Sequence, residues 1–254
     1  MIYPLTKTVV GGFLWFQGES DANTPNSYHC LFPAMIEAWR TEWVGGGQHQ
    51  PFGFVQLGAT GSGAPMSVVG GGFPVIRWAL TANQGVAPNP LLPNTYLAVA
   101  MDLSDPTSPY GSVHFRDKDS VGTRLALSYE ALVLGHKDVV WSGPRIQSAV
   151  LGDGGSVEVT LGPEETLAGG GIEVRWSLGF DVAGPNCPGG NGTLDTWTPA
   201  HISASTASTV TVTPNVTSCI PNQIRYAWWD RPCVKQQCAL YGKQSNLPTP
   251  PWIG

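Results

Sequence analysis

The sequence is short of charge. Only 12% of its 254 residues are Asp, Glu, Lys or Arg, about half the usual share. The 13 Lys and Arg are scattered along the whole chain, which excludes the clustered basic footprint of a nucleic-acid binder. Long apolar runs are also missing, and no stretch reaches the ~18 residues that a membrane-spanning helix needs. Residues 1–8 hold one Lys and no apolar core, so they do not read as a signal peptide. There is no Gly-x-Ser-x-Gly elbow, no P-loop and no dinucleotide fingerprint. The cysteines lack the Cys-x-x-Cys spacing of a zinc site and no His cluster accompanies them, so neither metal nor cofactor is expected.

What is present is apolar and aromatic. Apolar residues make up 42%, with ten Trp, eight Phe and seven Tyr, enough for a normal core and against disorder. The 32 Gly and 22 Pro predict many turns and few long helices. The length fits one large domain or two ordinary ones. Cys233 and Cys238 can close a small ring, and Cys187 and Cys219 can form a second bridge. That leaves Cys30 odd. Two glycosylation triplets, Asn191-Gly-Thr and Asn215-Val-Thr, join the cysteines in favouring a secretory context over a cytosolic protein with buried thiols.

Two textures divide the chain near residue 138. Up to that point, short apolar runs alternate with helical periodicity. Residues 9–16, 52–57 and 96–101 predict buried strands. Tyr28, Leu31, Phe32, Met35, Ile36, Trp39 and Trp43 repeat at helical spacing, with Asn26 or Ser27 as the cap and Gly45-Gly46-Gly47 as the stop. Residues 73–81 and 120–134 predict two more helices. This order implies a parallel sheet covered by helices. From Val139 onward, β-branched runs are divided by Gly and Pro. Residues 156–161, 171–176, 209–213 and 224–229 are the strand candidates, and residues 179–192 predict a loop.

Ligands of an open parallel sheet bind beyond the carboxyl ends of its strands. The first strand delivers Gln17-Gly18-Glu19-Ser20 there, the second residues 58–63, and the third Asp102 and a loop to His114. His114 precedes Arg116-Asp117-Lys118-Asp119, a charged cluster in a chain with few charges. A His in this setting can act as the base of a nucleophile; the plainer alternative is a surface His in a polar turn. The Gln17 amide can donate to an oxyanion, and Gly18 allows close backbone approach; alternatively Gln17 and Glu19 satisfy loop backbone groups. His29, His49, His136 and His201 have no such setting.

These blocks resemble a known family. Leu14-Trp15-Phe16-Gln17-Gly18-Glu19-Ser20 resembles the Trp-Tyr-Gln-Gly-Glu block of the sialate O-acetylesterases, within the SGNH hydrolases. Residues 32–40 and 51–57 resemble the helix and strand that follow in that family. Residues 109–118 are similar to its His-Pro-Arg-Asp-Lys block, and residues 225–229 and 232–238 to its C-terminal β region.

The resemblance implies an incomplete SGNH/flavodoxin-like α/β domain with a parallel three-layer sheet over residues 1–137. A small β-sandwich-like all-β domain follows over residues 138–254. It further implies hydrolysis of O-acetyl esters on sialic acids or other acetylated carbohydrates, with no nucleic acid or membrane as partner, in a secreted or lysosomal setting. His114 would be the general base and Gln17 would lie at the oxyanion site, with Gly18, Glu19 and Arg116 contacting substrate.

Two departures stand out. The family's Gly-Gln-Ser-Asn nucleophile block does not occur in this sequence. The expectation is therefore that the chain starts at an internal Met and lacks an N-terminal segment holding that Ser and the partner of Cys30. Phe115 also stands where the family has Pro, which leaves the His114 loop either loosened or repacked. Ser112 and Gly111 occupy the positions where relatives carry an acid, so a backbone carbonyl or a Ser–His dyad would have to orient His114. The competing expectation is a non-catalytic carbohydrate-binding or interaction module in which Trp176, Trp197, Trp228 and Trp229 stack on sugars rather than fill a β core.

Overall fold

The computed structural model describes residues 2–45, 50–61, 72–167, 170–184, 186–188 and 197–254. Its first half contains β1 (Phe13–Trp15), α1 (Tyr28–Glu42), β2 (Phe52–Gln56), α2 (Phe73–Ala79), β3 (Thr95–Val99) and α3 (Lys118–Leu132). The three strands pair in parallel in the order β1-β2-β3, with Phe13 opposite Phe52 and Phe52 opposite Thr95. Every residue of β2 and β3 is buried, as expected of a parallel sheet covered on both faces. Gly53 is needed in β2 because an added Cβ would meet the Tyr96 ring at 2.4 Å.

α1 turns Tyr28, Phe32, Ile36 and Arg40 inward at four-residue spacing. Phe32 packs edge-on against Phe54, ring centroids 5.2 Å apart. The expected cap does not form: Ser27 has helical backbone angles and no side-chain cap bond. Two short 3-10 turns, Glu19–Asn23 and Pro25–Ser27, feed the helix directly instead.

α3 buries Val121, Arg124 and Ser128, a face that is unusually polar. The reason lies in β3, whose outer edge has no partner strand among the described residues. Ser128 Oγ donates to the Leu97 carbonyl at 2.7 Å and Arg124 to the Val99 carbonyl at 2.6 Å. The helix thus satisfies carbonyls that would otherwise form an open edge.

The second half is antiparallel. It holds β4 (Arg145–Leu151), β5 (Val157–Gly162), β6 (Ile172–Val174), β7 (Leu178–Ala183), β8 (Thr198–Ser205), β9 (Thr209–Pro214), β10 (Gln223–Tyr226), β11 (Leu240–Gly242) and β12 (Trp252–Ile253). Seven of them form one sheet in the order β12-β10-β7-β8-β9-β5-β4, while β6 pairs with β11 in a separate two-stranded sheet. The fold is mixed α/β.

The expectation of a loop over residues 179–192 is corrected for 179–183, which belong to β7, while 185 and 189–192 lie outside the described residues. Phe180 and Val182 are fully buried there. Gly179 lies against the Tyr226 ring, with space for no more than a tight Cβ at 3.3 Å. The glycine that reads as loop in the sequence is the close approach of two strands. Cys187–Cys219 and Cys233–Cys238 are both bridged, and Cys30 is free and exposed.

The buried apolar cluster runs without a break from Phe13 through Met101 to Tyr241. Two buried charges join the halves. Asp102, fully buried just after β3, accepts from Arg124 at 2.6 and 2.9 Å and from the Tyr241 hydroxyl at 3.0 Å. Arg77, fully buried on α2, donates to four carbonyls: Leu57 and Gly58 of the first half, and Trp229 and Asp230 of the second, at 2.7–2.9 Å. Burial draws its pKa down to about 10, with Asp230 opposing the shift.

Replacing Arg77 by Met would leave the buried Leu57, Gly58 and Trp229 carbonyls unpaired and the Asp230 carbonyl with the Thr60 N–H alone. The expected loss is at least about 3 kcal/mol of unfolding free energy. Urea denaturation followed by Trp fluorescence measures it, and an unchanged midpoint would refute the role.

Candidate active site

Three loops meet beyond the carboxyl ends of the parallel strands. The first leaves β1 through Phe16, Gln17 and Gly18. Gly18 has φ +139° and its Cβ position would fall 2.9 Å from Ile76, so no other residue fits without strain. Tyr28 Oη donates to Gln17 Oε1 at 3.0 Å, and Gln17 Nε2 donates to Asp21 Oδ2 at 2.7 Å. Trp15 Nε1 donates to Tyr28 Oη at 3.3 Å. Burial is the main reason the Tyr28 pKa is pushed up to about 12. The Gln17 amide is therefore oriented from both ends, and one of its two N–H bonds is already given to a carboxylate. Glu19 is half-buried beside it, and Ser20 is exposed.

The second loop follows β2 through Gly58, Thr60 and Gly61. The third runs from Asp102 to α3 and carries His114. Ser112 Oγ accepts from the Gly61 backbone N–H at 2.9 Å and lies 3.3 Å from Thr60 Oγ1. This contact ties the second loop to the third, and it occupies Ser112 with Gly61 and Thr60 rather than with His114.

The His114 backbone is pinned from both sides. Its N–H donates to the Gly111 carbonyl at 2.9 Å, and Ser108 Oγ donates to its carbonyl at 2.7 Å. Its imidazole is exposed, with no side-chain partner among the described residues. Phe115 is repacked, not loosened: it is 1% exposed and fills the space over Gly58, where a Cβ would come within 2.4 Å of its ring. Phe115 also meets Phe16 of the first loop, ring centroids 6.0 Å apart. The Gln17 and His114 loops are therefore neighbours.

The other expected site residues sit as follows. Arg116 donates twice to Asp105, both at 2.7 Å, and to Thr107 at 2.9 Å. Those bonds hold the Asp105 carboxyl well below the usual range. Arg116 thus braces its own loop. Asp117 caps α3 by accepting from the Ser120 N–H at 3.1 Å. Burial raises its pKa, but bonds from Lys235 and Ser120 outweigh this and leave it below the ordinary value. His29 Nε2 lies 3.1 Å from Cys30 Sγ, His201 Nδ1 lies 2.9 Å from Asn215 Oδ1, and His136 is exposed. His49, Ser62 and Ser67 lie outside the described residues. Trp229 is buried, Trp176 packs on the core, Trp228 meets Trp78 edge-on, and Arg225 lies over Trp197 at 4.3 Å.

Residues 164–254 match the family model described as the sialate O-acetylesterase C-terminal domain. The entire chain aligns with the sialate O-acetylesterases of Pongo abelii and Homo sapiens, at 39% and 38% identity. The chain belongs to the sialate O-acetylesterase family. It spans about half the length of these curated relatives, 47% of each. A solved carbohydrate acetylesterase from Xanthomonas citri superposes on all of it with a TM-score of 0.76 at 28% identity, using 52% of that chain.

Some of the site carries no signal in a single sequence. Tyr28, Asp21 and Thr60 act through contacts made in space. Ser112 was visible only as an unexpected residue where family members have an acid. Gly58→Ala tests whether Phe115 anchors the His114 loop of this family member. The expected result is a loss of about 2 kcal/mol and faster amide exchange in residues 108–116 by mass spectrometry. Unchanged exchange there would show that the loop is held by something else.

Proposed function

We propose that this chain supplies the base and the oxyanion side of a carbohydrate O-acetylesterase of SGNH type. Its substrates are O-acetylated sialic acids or related acetylated carbohydrates. The observation that carries this reading is the His114 imidazole. It stands exposed on a pinned backbone, at the carboxyl edge of a parallel sheet, beside the loop that orients Gln17. The names of the mammalian relatives and of the Xanthomonas citri structure support the substrate class.

In the proposed reaction, a Ser hydroxyl attacks the acetyl carbonyl while His114 takes its proton. The remaining N–H of the Gln17 amide donates to the oxyanion that forms. Collapse expels the sugar alkoxide, which takes the proton back from His114. Water activated by His114 then releases acetate. Gly18 lets the substrate approach the backbone, and Arg116 acts by fixing the loop through Asp105. The nucleophile comes from residues outside these 254, since no Gly-Gln-Ser-Asn block occurs among them. That same lack favours the second reading, a carbohydrate-binding module without hydrolysis.

The test compares the chain alone with the chain joined to the nucleophile-bearing segment of a mammalian relative. Fluorophosphonate labelling, peptide mapping and hydrolysis of an O-acetylated sialic acid are the readouts. The joined protein is expected to label at one Ser and to hydrolyse, and His114→Ala should lower kcat by at least ~1000-fold. Hydrolysis that survives His114→Ala would refute the assignment. Sugar binding without hydrolysis in the joined protein would establish the second reading.

A secreted or lysosomal setting belongs to this proposal and is supported by the two disulfides. Asn215 and Thr217 are both exposed in the turn after β9, as glycosylation requires. Secretion from mammalian cells behind a signal peptide should give a product whose mass falls on amidase deglycosylation. Asn215→Gln should remove that glycan. A secreted product unmodified at Asn215 would count against the setting.

A further inference from the structure

Four cations border the His114 loop, and three are engaged. Arg116 is bound to Asp105, Lys235 Nζ lies 2.7 Å from Asp117, and Arg231 Nε donates to Ser104 at 2.8 Å. Lys118 is held differently. Its ammonium lies 3.8 Å from the Phe115 ring centroid and 4.7 Å from that of Phe16. It makes no salt bridge among the described residues, although it feels the charge of Glu19.

This position is electrostatically unfavourable for a cation. Lys118 is the first residue of the 15-residue α3, where the helix dipole opposes positive charge. Burial also draws its pKa below the ordinary value. The two aromatic faces offset part of that cost and fix the ammonium between the Gln17 loop and the His114 loop. The residue as a whole remains exposed, so a ligand can reach the charge. Glu19 beside it disfavours a doubly charged group, which selects a carboxylate over a phosphate monoester.

We propose that Lys118 is a specificity-determining residue. Its ammonium, seated on Phe115 and Phe16, receives the carboxylate of an acetylated sugar acid and selects it over neutral acetylated sugars. The assignment rests on the esterase reading, because it places substrate between the Gln17 and His114 loops.

Isothermal titration of the chain with three probes tests it: an O-acetylated N-acetylneuraminic acid glycoside, the methyl ester of its carboxyl group, and an O-acetylated neutral glucoside. The acid is expected to bind about tenfold more tightly than its methyl ester, with the preference shrinking in high salt. Lys118→Met, which keeps the contact with both rings, should abolish the preference. It should move the melting temperature by no more than about 3 °C. Lys118→Arg should restore most of the preference, and Lys137→Met, a remote exposed lysine, should leave it intact. Equal binding of acid and ester, or a preference that survives Lys118→Met, would overturn the role of Lys118 while leaving the esterase reading standing. Failure of all three probes to bind the chain and the joined protein alike would remove both. A preference that persists in a joined protein unable to hydrolyse would uphold Lys118 and defeat the esterase reading alone.

Discussion

A guanidinium buried among backbone carbonyls holds this molecule in register. Arg77 sits on a seven-residue helix, yet its four hydrogen bonds reach the end of β2 and the segment after β10. Taking that charge out of water is costly. The cost is offset because Leu57, Gly58, Trp229 and Asp230 all turn their carbonyl dipoles toward it. Without it, the Leu57, Gly58 and Trp229 carbonyls would be buried acceptors without donors. Thr60, whose N–H donates to the same Asp230 carbonyl, extends the arrangement to Ser112 and so to the His114 loop. The placement of the proposed base therefore depends on a charge in the core.

The two edges of the parallel sheet are treated differently. At β3, Arg124 and Ser128 take up the outward carbonyls, and Asp102 and Tyr241 lock Arg124 in place. Burial drives the Tyr241 hydroxyl pKa far up, and the Asp102 carboxylate adds to the effect. The hydroxyl stays protonated and donates to that carboxylate at ordinary pH. At β1 no helix among the described residues performs this service, and Leu14 is 68% exposed. One edge is closed chemically and the other is left to whatever lies beside it.

Much of the framework was legible because single physical signals determined it. The apolar runs that became β2 and β3 admit little but a doubly covered strand. The spacing of Tyr28, Phe32 and Ile36 fixes the inner face of α1. β7 was hidden because Gly179 and Asp181 break its apolar run; the Tyr226 ring packs against Gly179, and the buried Asp181 accepts from Arg225 at 2.9 Å. β4 and β8 lack a regular alternation of buried residues, and β11 and β12 are only three and two residues long. In the site, Gln17 and His114 stood out because they end a strand and precede a helix. Arg116 and Lys118 could not be told apart in sequence. The difference is one carboxylate, Asp105, and two rings that reach the cluster through the fold.

The long reach of Arg77 and Asp102 has a consequence for how the chain is made. Their partners Trp229, Asp230 and Tyr241 lie 152, 153 and 139 residues further along. Synthesis runs from the amino terminus at roughly 5–20 residues per second, so the α/β half emerges many seconds before the groups that satisfy its buried charges. Contacts this distant in sequence also slow closure of the native state. The nascent α/β half must wait with Arg77 holding two of its four carbonyls and Asp102 holding Arg124 without Tyr241, and commit to its final packing only when the last strands of the β half arrive.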